Sequence, residues 1–152
     1  MKISAILKTH AKTDLAMLLL RVTTGGTFMA HGAQKLFGWF GGHGLEATGQ
    51  WMSSIGLDPG FLMAFLAGAG EFFGGLALLL GILTRPAALG TALIMLVAMF
   101  AVHWTNGFFI TNSGYEYAFT LMMISICILL HGAGKYSLDH TLQTMFSDQP
   151  EK

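Results

Sequence analysis

The chain has 152 residues, of which 53% are apolar and 11% charged, whereas soluble domains carry about 25% charged residues. The formal net charge is zero and no basic patch with interleaved aromatic residues occurs, so nucleic acid is excluded as a partner. The single cysteine, Cys127, excludes an internal disulfide and a CxxC metal or redox pair.

Four apolar segments, separated by turns, are predicted to cross a lipid bilayer as helices. The second segment has the length that a hydrocarbon layer about 30 Å thick requires. Thr84-Arg85-Pro86 predicts a tight turn between the second and third segments. We therefore predict an all-α fold, a polytopic membrane four-helix bundle that forms one domain. The predicted spans are about residues 15–33, 61–83, 86–102 and 115–130.

The connection between the first two spans, Gln34 to Gly60, is the long one. It begins with a glycine-rich stretch and continues with a segment, about residues 45–55, that has one more apolar side. Irregular backbone and a short amphipathic helix at this place are typical of chain that lies at a membrane interface or re-enters the membrane. We predict a short interfacial or re-entrant segment between helices 1 and 2.

The distribution of basic residues predicts the orientation in the membrane. Loops on the cytoplasmic side of bacterial membrane proteins carry an excess of lysine and arginine. With both termini in the cytoplasm, the outer side holds only Lys35, and Arg21 lies within the first span. We therefore predict a multi-pass protein of the bacterial cytoplasmic (inner) membrane, N-in and C-in. The basic residues placed on the inner side are Lys2, Lys8, Lys12, Arg85, Lys135 and Lys152.

Arg21 and Glu71 are the ionisable residues that lie well inside the predicted spans. A lone charge in the bilayer costs several kcal/mol, so we expect the two to pair or to share a polar pocket. Arg21 belongs to a stripe on one helical face that we predict to point into the bundle, and the fourth span carries a second stripe of the same kind. The stripes are Arg21, Thr24, Phe28, His31 and Lys35, and Glu116, Thr120, Met123 and Cys127.

Polar side chains at the predicted outer ends of the spans indicate a cavity that opens outward above Glu71. Met95, Met99, Trp104 and Phe108 are expected to form its walls. Such a cavity could hold an amphipathic ring, a small metal site or a proton path. The spacing contains no metal-ligand or haem motif, so we predict no metal site. The polar residues expected there are His31, Gln34, Lys35, His103, Asn106 and Glu116.

Seven segments, in their order and spacing, resemble the DoxX family of small four-helix membrane proteins from about Leu18 to His140. The family's arginine falls on Arg21, its HG-x-x-K motif on His31-Gly-Ala-Gln-Lys35, and its glutamate on Glu71. Its later histidine and glutamate fall on His103 and Glu116. The matching segments are Leu18-Leu-Leu-Arg-Val22, His31-Gly-Ala-Gln-Lys-Leu36, Gly70-Glu-Phe-Phe-Gly-Gly75, Leu80-Gly-Ile-Leu-Thr-Arg85, His103-Trp-Thr-Asn-Gly-Phe108, Gly114-Tyr-Glu-Tyr117 and Tyr136-Ser-Leu-Asp139.

The resemblance implies a membrane location and an oxidoreductase function. Members are linked to quinone-reducing thiosulfate oxidation, to quinone stress, or to membrane complexes with redox enzymes. The leading hypothesis is therefore a quinone-linked oxidoreductase or an accessory subunit of a membrane redox complex. Its predicted catalytic residues are Glu71, His31, His103 and Glu116, and its predicted quinone-binding residues are Arg21, Gln34, Lys35 and Asn106.

Arg21 is expected to hold Glu71 in place in this hypothesis. The chain carries no cysteine pair, flavin fingerprint or bis-histidine haem spacing, so the electrons would come from a partner or a bound cofactor. The expected partners are the lipid bilayer, a quinone, a redox partner subunit and further copies of the chain. The alternative is a non-catalytic membrane protein that transports a small solute or acts as a scaffold for partner proteins, with Arg21 and Glu71 as an orienting ion pair.

Overall fold

A computed structural model describes residues 13–147, and this part of the chain contains six α-helices and no strand. The predicted all-α class is confirmed. Lys2, Lys8, Lys12 and Lys152, which contribute to the predicted orientation, lie outside the described residues. The helices are α1 (Thr13–Phe37), α2 (Gly44–Ser54), α3 (Gly60–Leu80), α4 (Thr84–Ala98), α5 (Glu116–His131) and α6 (Leu138–Ser147).

Helices α1 and α3 are antiparallel and lie very close together because glycines face each other along their contact. A Cβ atom on Gly25 would lie 2.6 Å from the carbonyl oxygen of Gly75, and one on Gly32 would lie 2.7 Å from that of Gly68. Small residues allow helix backbones to approach in this way. The two glycine pairs fix the register. A residue of α1 lies at the same depth as a residue of α3 when their two numbers add to about 100.

Helices α4 and α5 form the second half of the bundle. Thr91 donates a hydrogen bond of 3.1 Å to Ser125 across their fully buried contact. Beyond Ala98, α4 continues as a π-helical turn, Met99–His103, and a loop then leads to α5. We call the end of the bundle where α1 and α4 finish and α3 and α5 begin the upper end, and the opposite end the lower end.

The surface of the bundle is rich in large apolar side chains, and several polar side chains are buried among the apolar residues of the core. Large apolar side chains such as Leu19, Phe73, Leu93 and Leu130 are exposed along the helices. Continuous apolar surface of this kind marks contact with lipid or with other proteins. In the described part of the chain, Gly60–Leu80 and Thr84–Asn106 are long and apolar enough to cross a membrane. The buried polar side chains are Arg21, Thr24, Glu71, Thr84, Thr91, Ser125 and Ser137.

Short helices follow the bundle at both ends. Helix α2 occupies the segment predicted at about residues 45–55, and it packs on the start of α3 through Gly49 and Gly60. A Cβ atom on Gly60 would clash with the carbonyl oxygen of Gly49, so both positions need glycine. Helix α6 lies at the lower end, where the backbone N–H of Asp139 donates to the carbonyl oxygen of Gly81 at 2.8 Å.

The two predicted stripes differ in their surroundings. The α1 stripe points into the bundle as predicted, with Arg21, Thr24 and Phe28 almost completely buried. The α5 stripe lies on the outer surface, since Met123 and Cys127 are exposed. Helix α5 is apolar nearly all round, so spacing alone does not identify its packed face. The face that packs consists of Ala118, Leu121, Ser125 and Ile128.

Candidate functional site

Glu71 is buried in the upper half of the bundle, and its partner is Lys35. The Nζ atom of Lys35 donates to Oε2 of Glu71 at 2.6 Å. The Glu71 side chain is 4% exposed and that of Lys35 is 24% exposed, so the pair connects the interior to the upper surface. A charge-assisted hydrogen bond of this length compensates for taking the carboxylate out of water.

The expected pair between Arg21 and Glu71 is not formed, and this part of the prediction is corrected. The register of α1 and α3 places Glu71 opposite Met29, eight residues above Arg21. Eight residues of helix correspond to about 12 Å along the axis. Side chains lean toward the N-terminus of their helix, so on these antiparallel helices Arg21 leans down and Glu71 leans up, away from each other. Lys35 is only six residues above Met29, and its long side chain reaches down to the carboxylate.

Arg21 is fully buried at the lower end, where it binds carbonyl oxygens. Its Nη1 donates to the carbonyl oxygen of Leu78 at 3.1 Å, and its Nη2 donates to that of Tyr136. The last carbonyl groups of a helix lack partners within the helix and carry a partial negative charge. Arg21 therefore closes the end of α3 and joins it to the segment before α6. The guanidinium lies against Gly81, where any side chain would collide with it.

His31 and Gln34 lie on α1 next to the Lys35–Glu71 pair. The His31 ring packs against Tyr117 of α5, with the ring centres 5.9 Å apart. Lys35 and the Gln34 side chain are its polar neighbours. Gln34 also donates from Nε2 to the carbonyl oxygen of Phe40 at 3.2 Å, which holds the loop after α1 over the end of the helix.

His103 and Asn106 form a separate group in the loop between α4 and α5. Nδ1 of His103 lies 2.7 Å from the carbonyl oxygen of Ser113, and Nδ2 of Asn106 donates to the same oxygen at 3.2 Å. Ser113 has a φ of 59°, a conformation that a non-glycine residue adopts only with support. Within residues 13–147, no hydrogen bond or ion pair joins this group to Glu71. Glu116 begins α5, and its backbone N–H donates a hydrogen bond to the carbonyl oxygen of Phe108.

A cavity of about 280 Å³ opens at the upper end beside Lys35. Its lining includes Gln34 and Lys35 from α1, the loop residues Gly41, Gly42 and His43, and Trp51 from α2. The predicted walls lie elsewhere: Met95 and Met99 are buried in the core, while Trp104 and Phe108 pack on Tyr115. Helix α2 folds back over the end of α1, and the cavity lies between these two helices. The sequence did not predict this arrangement.

The structure thus brings together four of the eight predicted site residues: His31, Gln34, Lys35 and Glu71. Sequence reasoning missed that Lys35 is the partner of Glu71. Two signals were available, because Lys35 lies one turn after His31 on the stripe, and the small residues in both helices predict their register. It also missed a role for Asp139, whose carboxylate binds the start of α4. Nothing near Asp139 in the sequence indicates that contact.

Chemically, this site offers a cation at the wall of a cavity and a carboxylate behind it. An ammonium group has three N–H donors, and Lys35 uses one of them on Glu71. The remaining donors are available to a carbonyl or anionic oxygen that enters from the cavity. Among residues 13–147, no three His, Cys, Asp or Glu side chains lie in a metal-binding arrangement.

These features define a class: a helical membrane protein with a buried ion pair beneath a polar cavity at one end. The DoxX family model matches residues 16–104, more than half of the chain, and the chain belongs to the DoxX family. The predicted family membership is confirmed. No solved structure matches the chain.

Relatives cover most of the chain. The Bacillus subtilis protein "Putative oxidoreductase CatD" is 35% identical over 126 residues, which cover 83% of this chain and 86% of the relative. The Escherichia coli "Inner membrane protein YqjF" is 31% identical over 129 residues, 85% of this chain and 93% of the relative. A Haemophilus influenzae protein without an assigned function is 25% identical over 136 residues, 88% and 87% of the two chains. Family and relatives support a location in the bacterial inner membrane.

Proposed function

We propose that this protein is a quinone-associated membrane protein that takes part in a redox reaction, as an oxidoreductase or as a subunit of one. The Lys35–Glu71 pair beneath the upper cavity is the observation that carries the proposal. Support also comes from the CatD relative, whose name describes an oxidoreductase. The proposal places the head group of the quinone in the upper cavity and its apolar tail in the surrounding lipid.

In this proposal Lys35 donates a hydrogen bond to one carbonyl oxygen of the quinone. Reduction of a quinone to a quinol takes up two electrons and two protons. Lys35 can pass one proton to the quinone oxygen that it contacts and regain it from water at the cavity, while Glu71 stabilises the ammonium form. The second proton reaches the other quinone oxygen from water. Gln34, which lines the cavity, orients the head group, and His31, one turn before it on α1, supports the Gln34 side chain. A partner protein or a bound cofactor supplies the electrons, since the sequence contains no recognisable electron carrier of its own.

His103, Asn106 and Glu116 have a positioning role in this proposal. His103 and Asn106 hold the carbonyl group of Ser113 and thereby the loop that leads into α5. That loop sets the position of Tyr117, which packs on His31. We further propose that α1, α3, α4 and α5 each cross the membrane, with both termini in the cytoplasm and the upper cavity facing outward.

The test measures quinone that co-purifies with the protein, by extraction and chromatography with ultraviolet detection. We expect a stoichiometric quinone in the wild type and at least a tenfold loss in Glu71→Gln and Lys35→Met. The matched control is Lys135→Met, because the Lys135 side chain lies at the lower end and is 72% exposed. This variant keeps its quinone. Helical circular dichroism verifies that each variant is folded.

Two results would count against the quinone proposal. Quinone that is absent from the wild type, even after reconstitution with a short-chain benzoquinone, would contradict the proposal. Proton-coupled uptake of a small solute into liposomes, abolished by Glu71→Gln, would replace it with the transport alternative.

A further inference from the structure

A second cavity lies at the lower end, away from the Lys35–Glu71 pair. It has a volume of about 610 Å³ and is formed by three segments that are far apart in sequence. These are the first turn of α1 with Asp14, the turn between α3 and α4, and the stretch from the end of α5 into α6, residues 131–143. The proposed redox site uses none of these residues.

The carboxylates of this cavity are already engaged by donors within the protein. Asp139 accepts hydrogen bonds from the backbone N–H groups of Leu83 and Thr84 at 2.8 and 2.9 Å. Asp14 accepts from the backbone N–H of Lys135 at 3.0 Å and lies 3.8 Å from its Nζ. Both carboxylates line the cavity together with Lys135, and their oxygens are occupied by these donors.

Arg85 is a cation at the wall of the cavity, and it forms no ion pair within residues 13–147. Its guanidinium lies over Gly132, where a Cβ atom would be 3.5 Å from Nε. His131 and His140 line the same cavity. A guanidinium with free N–H groups binds phosphate oxygens through two parallel hydrogen bonds, a geometry that an ammonium group does not offer.

Helix α6, beside this cavity, is short and amphipathic. Its polar side, with Asp139, His140 and Gln143, lines the cavity. Its opposite side exposes large apolar side chains at a spacing of 4, 3 and 1 residues, which is one helical face. A short helix of this kind lies in the membrane surface with its apolar face among the acyl chains. The exposed apolar residues are Leu138, Leu142, Met145 and Phe146.

We propose that the lower cavity binds the phosphate group of a membrane phospholipid, with Arg85 as its principal ligand and His131 and His140 as further donors. The acyl chains lie along the apolar face of α6 and the exposed Leu83 and Leu130 beside it. The apolar surface next to the cavity favours a phospholipid over free phosphate, because only an amphiphile uses both. Basic pockets at the ends of membrane helices recognise lipid head groups on this physical basis.

The test is native mass spectrometry of the full chain, released from detergent with added phosphatidylglycerol. We expect one tightly bound lipid in the wild type and about a tenfold weaker affinity in Arg85→Gln, the change that corresponds to about 1.4 kcal/mol. Arg85→Lys keeps the positive charge but loses the two parallel N–H donors of the guanidinium. Its lipid affinity is expected to lie between those of the wild type and Arg85→Gln. Glu46→Gln on α2 is the control and changes the affinity less than threefold, because Glu46 is exposed and lines neither cavity.

A second variant tests the apolar part of the proposal. Leu142→Gln places a polar group on the acyl-chain face and is expected to weaken lipid binding about threefold. Glycerol phosphate and inorganic phosphate, which lack acyl chains, are added in a parallel titration. Equal affinity for these soluble anions and for the lipid would overturn the lipid assignment. Equal lipid affinity in the wild type and Arg85→Gln, with both folded, would overturn the site itself.

Discussion

Buried charged side chains find different kinds of partner at the two ends of this bundle. Glu71 has a lysine as its partner at the upper end, while Arg21 binds carbonyl oxygens at the lower end. Both solutions satisfy the rule that a charge taken out of water needs a compensating group. The two pairs differ in their access to ligands, because Lys35 lines a cavity whereas Arg21 is enclosed by protein.

We expect Arg21→Met to destabilise the protein strongly. The substitution removes two charge-assisted hydrogen bonds, to the carbonyl oxygens of Leu78 and Tyr136, each of which contributes roughly 1.5–3 kcal/mol. The measurement is the thermal unfolding midpoint in detergent. Lys135→Met is the matched control, since the Lys135 side chain is 72% exposed, and it shifts the midpoint little. Equal shifts in the two variants would contradict a structural role of Arg21.

Asp139 acts as a cap for α4 although it lies 55 residues away. Burial raises the pKa of the Asp139 carboxyl, but hydrogen bonds from Thr84 and Leu83 and the charge of Arg21 outweigh burial and leave the pKa below its usual value. A carboxyl whose pKa is lowered in the folded state contributes stability above its unfolded pKa, about 4, and this contribution is lost as the pH falls through the folded pKa.

We therefore expect Asp139→Asn to lower the free energy of unfolding by about 1 kcal/mol at neutral pH, the usual value of a helix cap. The difference from the wild type should narrow as the pH falls below about 4, because the wild-type carboxyl then becomes protonated. Unfolding of both proteins in detergent is measured from pH 3 to 8. A difference that stays constant over this range would show that the charge of Asp139 contributes nothing.

At the scale of the elements, the contact between α1 and α3 carries the site. The glycine pairs of this contact bring the two backbones close enough for Lys35 to reach Glu71. Neighbouring glycines in α1 differ sharply: a Cβ atom on Gly25 would lie 2.6 Å from the backbone of Gly75, whereas one on Gly26 would meet nothing within 4 Å.

Gly25→Ala is expected to destabilise the protein by about 1–3 kcal/mol, because backbone atoms of α3 must move away. Gly26→Ala is expected to be neutral or stabilising by up to about 1 kcal/mol, since alanine is the better helix former. The two thermal midpoints are measured side by side. Loss of stability in Gly26→Ala equal to that in Gly25→Ala would contradict the packing described for α1 and α3.

For the whole molecule, the two ends of the bundle are expected to face different compartments. Cys127 is the single cysteine, so Cys127→Ser gives a background for labelling. In this background we compare Gln50→Cys on α2 with Gln143→Cys on α6, both at exposed positions. A maleimide that does not cross membranes should label position 50 in spheroplasts, and position 143 only after lysis. The reverse pattern would contradict the N-in, C-in orientation.

The sequence alone predicted the helical class, the family and the inward face of α1. These properties follow from local quantities: the length of apolar segments, the cost of ionisable groups in lipid, and a 3.6-residue period. It also indicated that residues near His31 and Glu71 belong to one site. It did not identify the packed face of α5, because this helix is apolar nearly all round and spacing alone carries no signal for that face.

Only the tertiary structure decided which charges pair. Arg21 and Lys35 are both on the inward face of α1, and either could serve Glu71 on spacing alone. The choice depends on the depth at which α1 and α3 cross, which the glycine contacts at Gly25 and Gly32 set. The same holds for Asp139, whose bonds to Leu83 and Thr84 depend on how α6 docks. Contacts between distant segments depend on register and docking, and neither quantity is local in the sequence.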